Sequence, residues 1–179
     1  MSVFLVGVTL LACHDARGAG FKVTNVHTRV QDGVYLLDAD IGVDFGADSV
    51  EALKSGVPLT IVVDMKIVEK RALVWDKEVA HIRSRRRIEI HALSSQYLLK
   101  NLNSGATRAY RNLRDATAAL GSIRNFPMID SHLLRGRATY GLKLRAGVDI
   151  EALPSPMRPM AYLDALWHPP RWSPWPLQR

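Results

Sequence analysis

Apolar and polar residues alternate along much of the chain, which is typical of β-strands that bury one face. The alternation is clearest over three stretches, 35–45, 59–68 and 78–93. Three further stretches predict strands less strongly, 21–30, 94–105 with its glycine turn, and 139–150. The turn signal Gln31-Asp32-Gly33 separates the first two strands in chain order. The chain is therefore expected to be built largely from strands with one apolar face.

Two short segments have the spacing and end signals of helices instead. In the segment 49–56, Asp48 or Ser49 is placed to cap the start and Gly56 to end the helix. In the segment 113–120, apolar residues recur at helical spacing, Asn112 is placed to cap the start, and a glycine follows the end. Both helices are too short to alternate with the strands as βαβ units.

These elements predict a mainly β fold, an antiparallel β-sandwich-like single domain with two short helices. The β-rich domain is expected over 21–153, and a Pro/Trp-rich C-terminal tail over 154–179 is expected to pack on it. Seven of the nine prolines lie in this tail, so it should be mostly extended apart from a helical turn near 160–166. Tyr97, Tyr110, Trp75 and the tail tryptophans are interpreted as core or tail-docking anchors.

The first 20 residues predict an export signal. Val3 to Cys13 contains no charge and has the length of a signal-peptide core, too short to span a bilayer. Small residues at signal-peptidase spacing follow, either Ala16 with Gly18 or Gly18 with Gly20. "LLAC" also resembles a lipobox, which would make Cys13 a lipidated first residue. The absence of Lys or Arg before Val3 departs from a usual signal, and a buried N-terminal strand is the alternative.

Charge is unevenly distributed along the chain, whose formal net charge is +7. Residues 1–69 contain 5 basic and 9 acidic residues, whereas residues 70–145 contain 16 and 5. Such asymmetry indicates either an anionic partner for the basic half or two halves that face each other in one sheet. The single cysteine excludes a disulfide framework and a cysteine-based zinc site.

The most basic stretch, "RSRRR", has four arginines in five residues. At period two, Arg83, Arg85 and Arg87 share the polar face of a strand, about 6.6 Å apart, and Arg86 points to the apolar face. This arginine comb could bind an anionic partner such as a lipid headgroup, a polyanion or an acidic protein. Without aromatic residues for base stacking, nucleic acid is not expected as a partner. The competing interpretation pairs the comb across strands with acidic residues, which would be Asp38, Asp40, Asp44 or Asp64.

Other chemistries find little support in the residues. Asp38, Asp40 and Asp44 alternate on one strand without the glycine turn and closing glutamate of a calcium loop. His81 and His91 share a face but would lie about 33 Å apart on a continuous strand. No nucleophile elbow, P-loop or dinucleotide fingerprint is present. The sequence therefore predicts no metal, no cofactor and no catalytic residue, and a hydrolase without a recognisable motif stays as a remote alternative.

Four blocks of the chain together carry a family resemblance. They are Gly56-Val57-Pro58-Leu59, His91-Ala92-Leu93 with Gln96-Tyr97, Leu113 to Gly121, and Leu153-Pro154. With these blocks, residues 21–175 resemble the exported proteobacterial family named domain of unknown function 4390, whose members are sometimes labelled proline-rich signal-peptide proteins. The ending "HPPRWSPWPL" and the short segment before Val3 depart from that family.

The resemblance implies an exported protein of the bacterial cell envelope, located in the periplasm, and brings no catalytic residues. Family members are often encoded beside a membrane sensor kinase of the nitrogen-regulation type. The first expectation is therefore a non-enzymatic periplasmic binding or regulatory module that contacts an envelope protein such as that kinase. The alternative is binding of anionic lipid or polyanion through Arg83, Arg85 and Arg87.

Overall fold

A computed structural model describes residues 20–163 and 171–178. Within these residues the strands are β1 (Gly20–Gln31), β2 (Val34–Asp44), β3 (Leu59–Glu69), β4 (Lys77–His91), β5 (Gln96–Asn101), β6 (Thr107–Tyr110), β7 (Ser122–Asp130), β8 (Tyr140–Val148) and β9 (Ser173–Pro176). The helices are α1 (Gly46–Lys54), α2 (Leu113–Gly121) and α3 (Arg158–Leu163), and 3-10 turns cover Ser131–Leu133, Ile150–Ala152 and Ser155–Met157. The predicted export signal, with Cys13, lies outside the described residues except for Gly20.

The strands form two antiparallel sheets, which confirms the predicted mainly β, sandwich-like fold. The smaller sheet has the order β1-β2-β7, and the larger one has the order β6-β5-β4-β3-β8-β9. Strand β3 is therefore central, with β4 on one side and β8 on the other. Strand β9, from the Pro/Trp-rich tail, pairs with β8 at the edge of the larger sheet.

The inner faces of the two sheets share one apolar core. Alternate residues of β2, from Tyr35 to Ile41, pack with alternate residues of β3, from Val63 to Ile67. Strands β7 and β8 add Ile123 and Leu142 among others. The apolar residues that recur at every second position of the sequence are thus those whose side chains enter this core.

The helices cover the part of the larger sheet that the smaller sheet leaves open. Leu53 of α1 and Leu120 of α2 pack against Leu59, Ile88 and Leu99 in a second apolar cluster. Helix α2 begins as predicted, because the Asn112 side chain accepts a hydrogen bond from the Asp115 backbone N–H.

Helix α1 differs from the prediction at its start. It begins at Gly46, and neither Asp48 nor Ser49 caps it. The Asp44 side chain accepts the Gly46 N–H at 3.1 Å instead, so the preceding strand supplies the first polar contact of the helix. The predicted end is correct, since Gly56 has φ +88°, a conformation that favours glycine.

The close approach of α2 to the smaller sheet depends on a second glycine. A Cβ atom on Gly121 would lie 1.9 Å from the carbonyl oxygen of Ile41. Because the helix leads directly into β7, which pairs with β2, this contact sets the position from which β7 starts. Only a residue without a side chain fits there.

Candidate functional site

The outer face of the larger sheet carries the arginine comb. Arg83, Arg85 and Arg87 lie on this outer face, while Ser84 and Ile88 between and beyond them are buried on the inner side. Strand β4 pairs with β3 so that Asp64 lies opposite Arg83. The residues that can neutralise the comb arginines are therefore those on β3 and β5, the strands that flank β4, and on elements next to them.

Asp64 is the centre of this outer face. It is 2% exposed and lies between Arg83 of β4 and Arg145 of β8. Arg83 donates from Nε to Oδ1 at 2.7 Å, and Arg145 donates from Nε to Oδ2 at 2.9 Å. His81 Nε2 is 3.3 Å from Oδ1. One carboxylate thus orients two guanidinium groups across three strands.

The charge state of Asp64 follows from these contacts. Burial works to raise the pKa of its carboxyl, because a low-dielectric environment disfavours the charged form. The hydrogen bonds and the charges of Arg83 and Arg145 outweigh burial, so the pKa is held below its usual value. Asp64 is therefore a fixed anion at neutral pH, suited to holding arginines in place rather than to proton transfer.

The other two comb residues have different surroundings. Arg85 donates from Nη2 to Asp149 at 2.7 Å, just beyond the end of β8. Arg87 lies opposite Thr60 on β3 and Lys100 on β5, and among the described residues no carboxylate pairs with it. Two of the three comb arginines are thus held by acidic residues, and the third lies next to another cation.

The predicted pairing of the comb with Asp38, Asp40 or Asp44 is wrong. These residues belong to β2, which pairs with β1 and β7 in the smaller sheet rather than with β4. Asp38 pairs with Arg29 and Asp40 with Arg124, on the far side of the sandwich. Of the four acidic residues named as possible partners of the comb, Asp64 alone contacts it. Asp149, which pairs with Arg85, was not predicted, because the sequence does not show that β8 lies beside β3.

Residues from the tail complete the outer face. The ring of Trp172 lies 4.5 Å from the guanidinium of Arg145 and 4.9 Å from Nζ of Lys66. Both cations are thus placed over an aromatic face, an attractive arrangement. Next to Asp64, a cleft of about 250 Å³ has Arg83, Arg145, Asp149, Glu151 and Tyr162 among its lining residues. Its walls carry both signs of charge.

Trp75 is not a core anchor, contrary to expectation. It lies in the loop 70–76 between β3 and β4, where Leu73, Val74 and Trp75 are 95%, 60% and 94% exposed. We call these three residues the apolar tip. The base of the loop is fixed, since the Lys70 N–H donates to a carbonyl before β8 and Asp76 pairs with Lys143. The tip is therefore held away from the body of the domain.

Across the described residues, no group of three or more His, Cys, Asp or Glu is arranged to hold a metal ion. No helix in this part of the chain has the length and apolar character needed to cross a membrane.

The two packed sheets and the covering helices define a mainly β, sandwich-like domain with a charged outer face. The chain belongs to the family described as "Domain of unknown function (DUF4390)", whose model matches residues 18–176. No curated protein matches the chain. No solved structure matches it either.

Proposed function

We propose that this protein is a non-enzymatic binding module of the bacterial cell envelope, located in the periplasm, whose apolar tip docks on a protein partner. The observation that carries the proposal is the exposure of Leu73, Val74 and Trp75 side by side. Contiguous exposed apolar residues on a soluble domain mark interaction sites, and tryptophan is among the residues enriched at binding hot spots.

The charges around the tip describe its partner. Lys70 and Arg71 are exposed beside it, while Asp76 on the other side is engaged by Lys143. The complementary surface is an apolar pocket with an acidic rim, which would exclude water from Trp75 and attract the basic flank. The sensor domain of a membrane kinase, suggested by the family resemblance, is the partner to test first.

The arginine comb is the weaker candidate for this role. Arg83 and Arg85 are engaged by Asp64 and Asp149, so an anionic lipid or polyanion would have to compete with carboxylates already in place. Arg87, without an acidic partner in the described part of the chain, is the comb residue best able to contact such a ligand. Binding through the comb is therefore kept as an outcome of the experiment.

The experiment measures binding of the purified protein to two probes. The first is the extracytoplasmic domain of the kinase whose gene neighbours those of family members, measured by biolayer interferometry. The second is vesicles with about one quarter anionic lipid, measured by cosedimentation. The test variant is Leu73→Ser with Val74→Ser and Trp75→Ser. The matched control is Leu93→Ser, since Leu93 is also 94% exposed but lies after the opposite end of β4.

The proposal predicts that the wild type and Leu93→Ser bind the kinase domain and that the tip variant loses at least about tenfold in affinity. Equal binding by the tip variant would overturn it. So would binding to vesicles alone. If vesicle binding were lost in a variant with all three comb residues changed to Ser but kept in the tip variant, the comb would be the anionic-lipid site instead.

A further inference from the structure

We infer that a second site, distinct from the apolar tip and the comb, binds an oxyanion. The site is a cleft of about 390 Å³ lined by residues of β4, β5 and β6 on one side and by residues of α2 and β7 on the other. Three arginines line it, Arg86, Arg108 and Arg124, together with Asn101 and Tyr110. None of the lining residues is a carboxylate.

Arg86 is the fixed cation of this cleft. Arg86 lies on β4 like the comb residues, but its side chain points to the inner face. Its Nη1 donates to the carbonyl oxygens of Ala119, Leu120 and Ser122 at 3.3, 2.8 and 2.8 Å. These are the last carbonyls of α2 and the residue after it, so Arg86 caps the helix end. Backbone carbonyls carry only partial charges, and among the described residues no carboxylate pairs with Arg86.

The remaining donors of Arg86 are available to a ligand. Neither Nε nor Nη2 donates to an acceptor in the described part of the chain, and neither is among the fully enclosed polar atoms. They are therefore not fully enclosed, and the Arg86 residue lines the cleft. Burial lowers the pKa of the Arg86 guanidinium, because removing water from a cation costs free energy that nearby carbonyls only partly restore. An anion in the cleft would supply the missing countercharge.

Arg108 and Arg124 stand on either side of this fixed cation. Arg108 is exposed on β6, and its register places it opposite Leu99 on the inner side of the sheet. No carboxylate within the described residues pairs with it. Arg124, on β7, donates to Asp40 and to the Ala39 carbonyl. The cleft thus holds two uncompensated cations and a third whose charge is already balanced.

The lining defines the ligand class. Guanidinium groups bind carboxylate and phosphate oxygens through paired donors, and the cleft volume lies in the range of small-molecule sites. Leu99, Ala106 and Ala119 give the cleft an apolar wall. The ligand that fits is a small organic acid or a phosphate ester with its oxyanion between Arg86 and Arg108. Both sources share the oxyanion, so the experiment includes one probe for each.

The test uses inorganic phosphate and citrate as probes, titrated into the protein by isothermal calorimetry with sodium chloride holding ionic strength constant. Arg108→Gln is the test variant, because Arg108 is exposed and its removal leaves the helix cap intact. Arg114→Gln is the matched control, since it removes one exposed arginine from α2 that does not line the cleft. Both variants should fold, which thermal melts confirm.

The expected result is saturable binding of at least one probe, weakened about tenfold or more in Arg108→Gln and unchanged in Arg114→Gln. Preference for citrate would indicate an organic acid, and preference for phosphate a phosphate ester. Equal weakening in both variants would show a general charge effect and overturn the site. If neither phosphate nor citrate bound detectably, the site would also be overturned. Neither failure bears on the apolar tip.

Discussion

Replacing Asp64 by Asn should lower the free energy of unfolding more than removing one charge from an exposed ion pair would. The wild-type carboxylate is buried and accepts charged hydrogen bonds from Arg83 and Arg145. Each such bond contributes about 1.5–3 kcal/mol, and leaving a buried charge without its partner costs about 3–5 kcal/mol.

The full cost does not apply at this position. The side chains of Arg83 and Arg145 are 54% and 29% exposed, so water rehydrates them when the carboxylate is removed. Asparagine also keeps one oxygen that can accept a hydrogen bond. We therefore expect a loss of about 2–3 kcal/mol in the free energy of unfolding, and a fall in Tm of roughly 4–12 °C for a chain of this size.

Urea denaturation followed by circular dichroism measures the loss. Asp76→Asn is the control, because Asp76 pairs with Lys143 at a more exposed position where removing the charge should cost about 1 kcal/mol or less. An Asp64→Asn variant within about 0.5 kcal/mol of the wild type would refute the reasoning. It would mean that the desolvation cost of the carboxylate equals what its two arginine contacts return.

Two further predictions concern pH and backbone packing. The pKa of Asp64 is lower in the folded state than in the unfolded chain, so its contribution to stability is present above about pH 4 and is lost as the pH falls through the folded value. Urea titrations between about pH 2.5 and 6 should then show a smaller acid-induced loss in Asp64→Asn than in the wild type, and parallel curves would contradict this. Gly121→Ala should cost about 3 kcal/mol or more, since its Cβ meets the backbone of Ile41. In thermal melts, Gly136→Ala is the control with open space around it, and equal Tm values for the two variants would count against the close contact.

Strand β2, which the sequence predicted clearly, buries every second residue from Tyr35 to Ile41. Strand β7 was missed because its alternation is interrupted. Asn125 has φ +50°, and the register with β2 shifts between Leu37 and Ala39, so the buried residues on the two sides of the bulge do not keep one parity. Pro127 is compatible with this strand because β7 is at the edge of its sheet, where proline is tolerated. Strand β6, only 4 residues long, was too short for a pattern.

The sequence predicted which face each arginine occupies but not the residues opposite. Asp64 was one of the four acidic residues named as alternatives, and it contacts the comb because the consecutive strands β3 and β4 pair. Asp149 could not be foreseen, since its contact with Arg85 requires β8 to lie beside β3. Asp38 and Asp40, also among the four, do not contact the comb because β2 pairs with β1 and β7 in the other sheet. The face that a side chain occupies follows from its position within one strand, whereas the residue opposite it depends on the strand order of the whole sheet.

The arginines of β4 lie on two faces of the sheet, and the groups that contact them offset different amounts of charge on the two faces. On the outer face, Arg83 and Arg85 contact carboxylates, each of which offsets a full unit of charge. On the inner face, the hydrogen bonds of Arg86 within the described residues go to carbonyl oxygens at the end of α2, which offset at most about half a unit of charge. Arg87 on the outer face also lacks a carboxylate partner among these residues, but Arg86 is the arginine that lies in the cleft with Arg108. For anion binding, the chemistry of each arginine's partner decides more than the number of arginines in the run.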